Sequence, residues 1–342
     1  MKTQILLGPV MGDVEGLVLT DADRARLMHP LMGGVIFFAR NYANPEQIKA
    51  LAASIRELRS PHLMIVVDHE GGRVQRFRDG FTAIPAMRTL GERWQANPAE
   101  ASKLARAVGI VIGTEMAAHG LDFSFAPVLD LDWGESTVIG DRSFGRDPKI
   151  VAAIAGEVMA GLAEVGVASC AKHFPGHGFV KADSHHEIPR DSRTFAEIAD
   201  DDMLPFKLLA DKFDSVMPAH IIFEEVDAMP AGFSSHWLKN VLREQLGFQG
   251  VIFSDDLTME GASVVGGDVA RAMAALNAGC DMVLLCNDQV RCGALLAGLV
   301  AEGVAASEAR SHHLMRMHAK KAVSLTDPAY LQAKAAVATL GG

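Results

Sequence analysis

Short apolar runs, each ending in a polar residue and each followed by a longer stretch with helical spacing, recur from one end of the chain to the other. The runs predict eight strands: Ile5 to Met11, Val35 to Phe38, Met64 to Val67, Phe123 to Val128, Val167 to Ala171, Ser215 to Met217, Val251 to Ser254 and Met282 to Leu285. Between them the spacing predicts helices over Pro45 to Leu58, Glu100 to His119, Lys149 to Val165, Phe195 to Lys212, Ser235 to Leu246 and Val269 to Ala278. Several of these open on a capping residue or an early proline. The strand runs are apolar throughout rather than alternating, which suits strands covered on both faces and hence a parallel sheet. Eight βα units predict an α/β fold, a single-domain TIM (β/α)8 barrel. A doubly wound sheet is the weaker reading, because no G-x-G-x-x-G or G-x-x-x-x-G-K-[ST] follows the first strand. No linker or composition break divides residues 1–342, and a C-terminal helical tail is expected from about residue 303.

Composition narrows the function classes. Of the 342 residues, 49% are hydrophobic and 22% charged, enough apolar material for a large core and too much for a disordered chain. Lys and Arg number 32 against 42 Asp and Glu, a net charge of −10, so there is no sequence-wide basic surface for nucleic acid. No run approaches the roughly 18 apolar residues that span a bilayer, and the start, MKTQILLGPVMGDVEG, meets Gly, Pro and Asp too early for a signal peptide. A cytoplasmic monomer acting on a small molecule is expected, with neither nucleic acid nor membrane as partner. Cys170, Cys280, Cys286 and Cys292 are too sparse for a disulfide framework and form no C-x-x-C clip, which leaves them as reduced packing residues.

In a barrel of this kind the chemistry sits at the C-terminal ends of the strands. The residues after the apolar runs are Asp13, Arg40 and Asn41, Asp68, Asp130, Lys172 and His173, His220, Asp255 and Asp256, and Asn287. Any one of these could simply cap a helix; together they make a polar ring. The segment KHFPGHGFVKADSHHE, Lys172 to Glu187, holds four of the thirteen histidines. Pro175 and Gly176 exclude a helical H-x-x-x-H metal pair between His173 and His177. In extended chain, residues two apart share a side, so Asp183 can reach the imidazole of His185 and set its tautomer and pKa; a solvated polar loop is the plainer alternative. GVIFSDDLTMEG delivers Asp255 and Asp256 to the mouth, one to act and the other to orient. VDHEGGRVQRF sets Asp68, Arg73 and Arg76 around a Gly pair, a combination suited to a hydroxyl-rich ligand and equally to loop salt bridges.

D-H-E-G-G-R-V-Q-R, S-F-A-P-V-L-D, G-D-R-S-F, K-H-F-P-G-H-G, A-D-S-H, M-P-A-H and F-S-D-D-L-T-M occur in this order between Ile5 and Asn287. In these motifs the chain resembles glycoside hydrolase family 3, in its β-N-acetylhexosaminidase branch, and within it the enzymes of peptidoglycan recycling. The resemblance implies a retaining exo-β-N-acetylglucosaminidase that removes terminal N-acetylglucosamine from GlcNAc-1,6-anhydroMurNAc and its peptides. It implies Asp255 as nucleophile, His185 as acid/base and Asp183 as its partner. Asp68, Arg76, Arg142, Lys172 and His173 would bind the sugar, with no cofactor and no metal. Family members with two domains take their acid from the second, and this chain has no room for one, so a barrel loop must supply it. The alternative is a metal-dependent amidohydrolase-like barrel, since His173, His177, His185, His220 and Asp255 are also zinc-ligand types. Against it, the first strand lacks the H-x-H that such barrels place there.

Overall fold

The computed structural model describes residues 2–181 and 188–341. Eight parallel strands form its centre: β1 (Val10–Gly12), β2 (Met32–Phe37), β3 (Met64–Val67), β4 (Phe123–Ser124), β5 (Cys170–Phe174), β6 (Ser215–Pro218), β7 (Val251–Asp256) and β8 (Met282–Leu284). Their hydrogen-bonded order is β4-β3-β2-β1-β8-β7-β6-β5. Bridges Phe123↔Ala168 and Val128↔Lys172 join β4 to β5 and close the ring. This is the predicted (β/α)8 barrel, with every predicted apolar run contributing to one strand.

Boundaries moved where local chemistry overrode the apolar pattern. β1 begins at Val10 because Gly8 lies against the backbone of Leu31; a Cβ there would meet Leu31 C at 2.2 Å. β4 stops at Ser124 because Pro127 has no N–H to give the ladder. Past that break, Cys170 N–H donates to Ala126 O at 2.8 Å and Leu129 N–H to Lys172 O at 2.7 Å. The helix predicted over 195–212 is two, Phe195–Asp200 and Leu204–Leu209, with Pro205 in the first turn of the second. Residues His236–Gln245 wind as a π-helix.

The barrel is packed rather than open. Phe123, Phe125 and Phe253 meet inside it with ring centroids 5.3–5.8 Å apart, and all three are fully buried. Filling the interior with aromatic layers leaves the polar strand ends only the mouth to occupy. Outside, the helices Pro98–Ala118 and Pro148–Glu164 cross at glycine: a Cβ on Gly109 would meet Val158 O at 2.1 Å, and one on Gly161 would meet Arg106 O at 2.1 Å. No helix among the described residues is long and apolar enough to cross a membrane.

Candidate active site

Past β3 the chain makes a tight hairpin, His69–Gly71 against Val74–Gln75, with Gly71 and Gly72 at φ of 107° and 55°. Residues with side chains resist that region, which is why the Gly pair stands there. The turn lowers Glu70 into the mouth. Its two oxygens accept Nε (2.8 Å) and Nη2 (2.9 Å) of Arg142, a bidentate pair, and Lys172 Nζ lies 2.6 Å from Oε1. Lys172 also donates to Asp68 at 3.0 Å, and Arg76 Nη2 lies 3.4 Å from the other Asp68 oxygen. Burial opposes ionisation of Glu70, but Arg142 and then Lys172 outweigh it and hold its carboxyl well below the usual range. Burial likewise works against the Lys172 ammonium, yet Asp68 and Glu70 raise its pKa above the ordinary value. Glu70, Arg142 and Lys172 are therefore all charged at neutral pH.

Lys172 and His173 were expected just after the fifth strand; they lie inside β5, which runs three residues further along than the apolar run suggested. Asp130 holds this stretch. One of its oxygens accepts the backbone N–H of His173 (3.0 Å) and of His177 (2.8 Å), and the other accepts Nδ1–H of His173 at 2.7 Å. That bond places the His173 proton on Nδ1. Burial raises and His173 lowers the pKa of Asp130, with the net effect downward. His177 is buried edge-to-face on His173, centroids 5.7 Å apart. Burial first, then His173, pushes its pKa down to about 4, so the ring is neutral at pH 7. Pro175 and Gly176 do keep the two histidines off a common helix, since β5 ends at Phe174.

β7 carries Asp255 and Asp256 as its last two residues. An Asp255 oxygen accepts the N–H of Asp256 at 2.8 Å. Asp256 instead accepts the N–H of Thr258 (3.0 Å) and of Cys286 (3.3 Å), knitting β7 to β8. Burial pushes the Asp256 carboxyl up to about 6. The two neighbouring carboxylates both line a cavity at the mouth, and Asp256 also holds the turn after β7.

That cavity, about 820 Å3, is lined by Asp68, Arg76, Arg142, Lys172, His173 and Asp255, six of the eight residues singled out from the sequence. Asp183 and His185 lie outside the described residues. Glu70 and His177 also line it; His177 was named only as a zinc-ligand type, and Glu70 was not singled out. Glu70 was visible as the third letter of D-H-E-G-G, but nothing local in the sequence pairs it with Arg142, 72 positions on. The polar ring divides: Asp13, Asn41, Asp130 and His220 are buried behind the wall, while Arg40, Asp256 and Asn287 are in it. Among the described residues, the group that brings three metal-ligand atoms within 4.8 Å of one another is His62, Asp122 and His318. His62 and Asp122 precede β3 and β4, at the opposite end of the barrel, and Arg56 already donates to Asp122 (2.7 Å) and lies 2.9 Å from His62 Nε2.

Residues 10–318 match the Glycosyl hydrolase family 3 N terminal domain. The chain belongs to glycosyl hydrolase family 3. This family 3 chain is 57% identical over 293 residues to a Beta-hexosaminidase of Chromobacterium violaceum, covering 85% of this chain and 82% of that one. It is 56% identical over 313 residues to a Beta-hexosaminidase of Methylobacillus flagellatus, covering 91% and 89%. The crystal structure of NagZ from Neisseria gonorrhoeae in complex with N-trifluoroacetyl-D-glucosamine superposes with a TM-score of 0.93 at 44% identity, covering 99% of this chain and 100% of that one. Family membership removes the ground for the amidohydrolase alternative.

Proposed function

We propose that this family 3 β-hexosaminidase is a retaining exo-β-N-acetylglucosaminidase that takes terminal β-linked N-acetylglucosamine from peptidoglycan fragments, GlcNAc-1,6-anhydroMurNAc and its peptides, in cytoplasmic cell-wall recycling. The observation that carries the reading is the convergence of Asp255 with Asp68, Arg142, Lys172 and His173 on one cavity at the mouth of the barrel. The similarity to proteins called Beta-hexosaminidase, and to NagZ with an N-acylated glucosamine analogue, supports the sugar class. Alternating carboxylates and cations suit a ring of hydroxyls, each of which both donates and accepts. Asp68, Arg76, Arg142, Lys172 and His173 hold the ring and leave its anomeric carbon over Asp255.

The reaction then runs in two displacements. Asp255 attacks the anomeric carbon while protonated His185 gives its proton to the leaving oxygen, so the C–O bond to the aglycone breaks as the bond to Asp255 forms. Neutral His185 next takes a proton from water, whose oxygen displaces Asp255 and releases N-acetylglucosamine with its β configuration. Asp183 orients the imidazole. A histidine in place of the usual second carboxylate avoids setting two negative charges close together in a dry pocket.

Release of nitrophenol from 4-nitrophenyl β-N-acetylglucosaminide tests this. The wild type should turn over in the presence of a metal chelator, and Asp255→Ala should lose about 10⁴-fold or more in kcat. Turnover abolished by the chelator, or retained in Asp255→Ala, would overturn the assignment.

A further inference from the structure

Asp130 is wholly buried behind the cavity wall and enters no step of that mechanism. The stretch that carries it is pinned to β5 by the bridge Val128↔Lys172 and by Leu129 N–H on Lys172 O at 2.7 Å. A buried carboxylate is costly unless it is hydrogen-bonded, and the donors to this one all come from His173 and His177. One oxygen takes both backbone N–H groups, and the other takes Nδ1–H of His173 at 2.7 Å. Asp130 stays ionised at neutral pH, since His173 more than offsets the upward push of burial. An ionised carboxylate has no proton to give, so Nδ1 must be the donor. A neutral imidazole that donates from Nδ1 carries a bare acceptor, Nε2, on its other edge. Among the described residues the hydrogen bond of this ring is the one to Asp130, and His173 lines the cavity.

The groups around His173 give that acceptor its meaning. Arg76, Arg142 and Lys172, which line the same cavity, can only donate. Glu70 already accepts from Arg142 and pairs with Lys172, and Asp68 accepts from Lys172. A sugar hydroxyl that accepts from one of these cations still has its own proton to place, and a buried donor left without an acceptor is costly. His173, next in the chain to Lys172, can take that proton without adding a negative charge.

We propose that Asp130 is a positioning residue for sugar recognition: it fixes the His173 ring as a hydrogen-bond acceptor, so that the site demands a proton-giving hydroxyl at one carbon of the N-acetylglucosamine ring. The proposal rests on the reading of the site as a β-N-acetylglucosaminidase and adds the direction in which one of its hydrogen bonds runs. Asp130→Asn reverses that direction. The backbone N–H groups of His173 and His177 keep the amide oxygen where the oxygen that accepts them now sits, which leaves the amide NH2 against Nδ1. Nδ1 must then accept, and the ring proton moves to Nε2.

The probes are 4-nitrophenyl β-N-acetylglucosaminide and its three analogues in which the 3-, 4- or 6-hydroxyl is replaced by fluorine, which cannot donate. The inductive effect of fluorine on the glycosidic bond is the same for both enzymes and cancels when they are compared. At one of the three positions fluorination should cost the wild type about tenfold more in kcat/KM than it costs Asp130→Asn; at the other two the losses should match. Equal losses in the two enzymes at all three positions, even with Asp130→Asn slower on every substrate, would overturn the proposal, because that is what a merely structural role gives. A second measurement decides without this variant. In the wild type with 15N-labelled histidine at pH 7, the His173 ring, assigned by its absence from His173→Gln, should carry a proton on Nδ1 and none on Nε2. A protonated Nε2 would overturn the proposal as well. Failure of the wild type to hydrolyse the parent glycoside sinks the enzymatic reading and this one with it, whereas turnover with equal fluorine losses sinks only the role of Asp130.

Discussion

Glu70 sits at the centre of the charged cluster at the mouth because, among the described residues, it is the one group that pairs with both Arg142 and Lys172. Removing its charge leaves two buried cations facing each other with only Asp68 between them. Glu70→Gln should lower kcat/KM on the aryl glucosaminide by about 10–100-fold and cost about 3 kcal/mol of stability, read from initial rates and a urea unfolding curve. Unchanged KM would mean that the cations do not need this partner. Asp256 gives a prediction of opposite sign. Its folded pKa is raised from 3.8 to about 6, so folding favours the protonated form. Its contribution is neutral below pH 4 and becomes a loss of stability as pH rises through about 6. Asp256→Asn keeps an oxygen for Thr258 and Cys286, and should raise the unfolding free energy by about 2 kcal/mol at pH 8 and by nothing near pH 4. A variant less stable than wild type at pH 8 would contradict it. At this scale the residues legible in the sequence were those a strand end announces, such as Asp68, Lys172 and Asp255. Glu70 follows His69 inside a hairpin and acquires its importance only from partners on β5 and beyond β4, which no local pattern reveals.

The elements that deliver these groups depend on a few tight approaches. After His177 the chain passes under Leu131 at Gly178, where a Cβ would meet the Leu131 carbonyl oxygen at 1.7 Å. On the returning side Arg193 lies 3.8 Å over the ring of Phe179 and pairs with Asp191 and Asp202, while Phe179 packs edge-to-face on Trp133 at 5.0 Å. Gly178→Ala should force the segment carrying His177 outward, lowering both kcat/KM and stability, the latter by about 2 kcal/mol. Thermal melts and initial rates check this, and wild-type values in both would contradict it. The element order was legible because each strand is a short apolar run closed by a polar residue. Its edges were not, because Gly8, Pro127 and Pro205 act through contacts or missing N–H groups rather than through hydrophobicity. Short charged helices such as Asp21–Leu27, with sequence DADRARL, bury little and left no apolar stripe to read.

Over the whole molecule, a packed barrel interior and a polar mouth separate the work of stability from that of chemistry. The C-terminal helix Pro328–Ala338 belongs to the first. Tyr330 Oη donates at 2.8 Å to buried Glu115, which also accepts the backbone and hydroxyl of Thr82. Tyr330→Phe should cost about 1 kcal/mol in urea unfolding and leave the aryl glucosaminidase rate unaltered; a fall in rate would tie that helix to the site. The barrel itself was legible from the number of βα units. The central claim is that Asp255 forms the covalent bond to the sugar. It is tested most directly by acid-quenching His185→Ala during turnover of an activated aryl β-N-acetylglucosaminide and mapping the protein by peptide mass spectrometry. Loss of the acid/base should slow the second displacement more than the first with so good a leaving group. The peptide containing Asp255 should then carry one N-acetylglucosaminyl residue, located on that carboxylate. A label on Asp256 or elsewhere, or product released with no labelled peptide at any time point, would contradict the account.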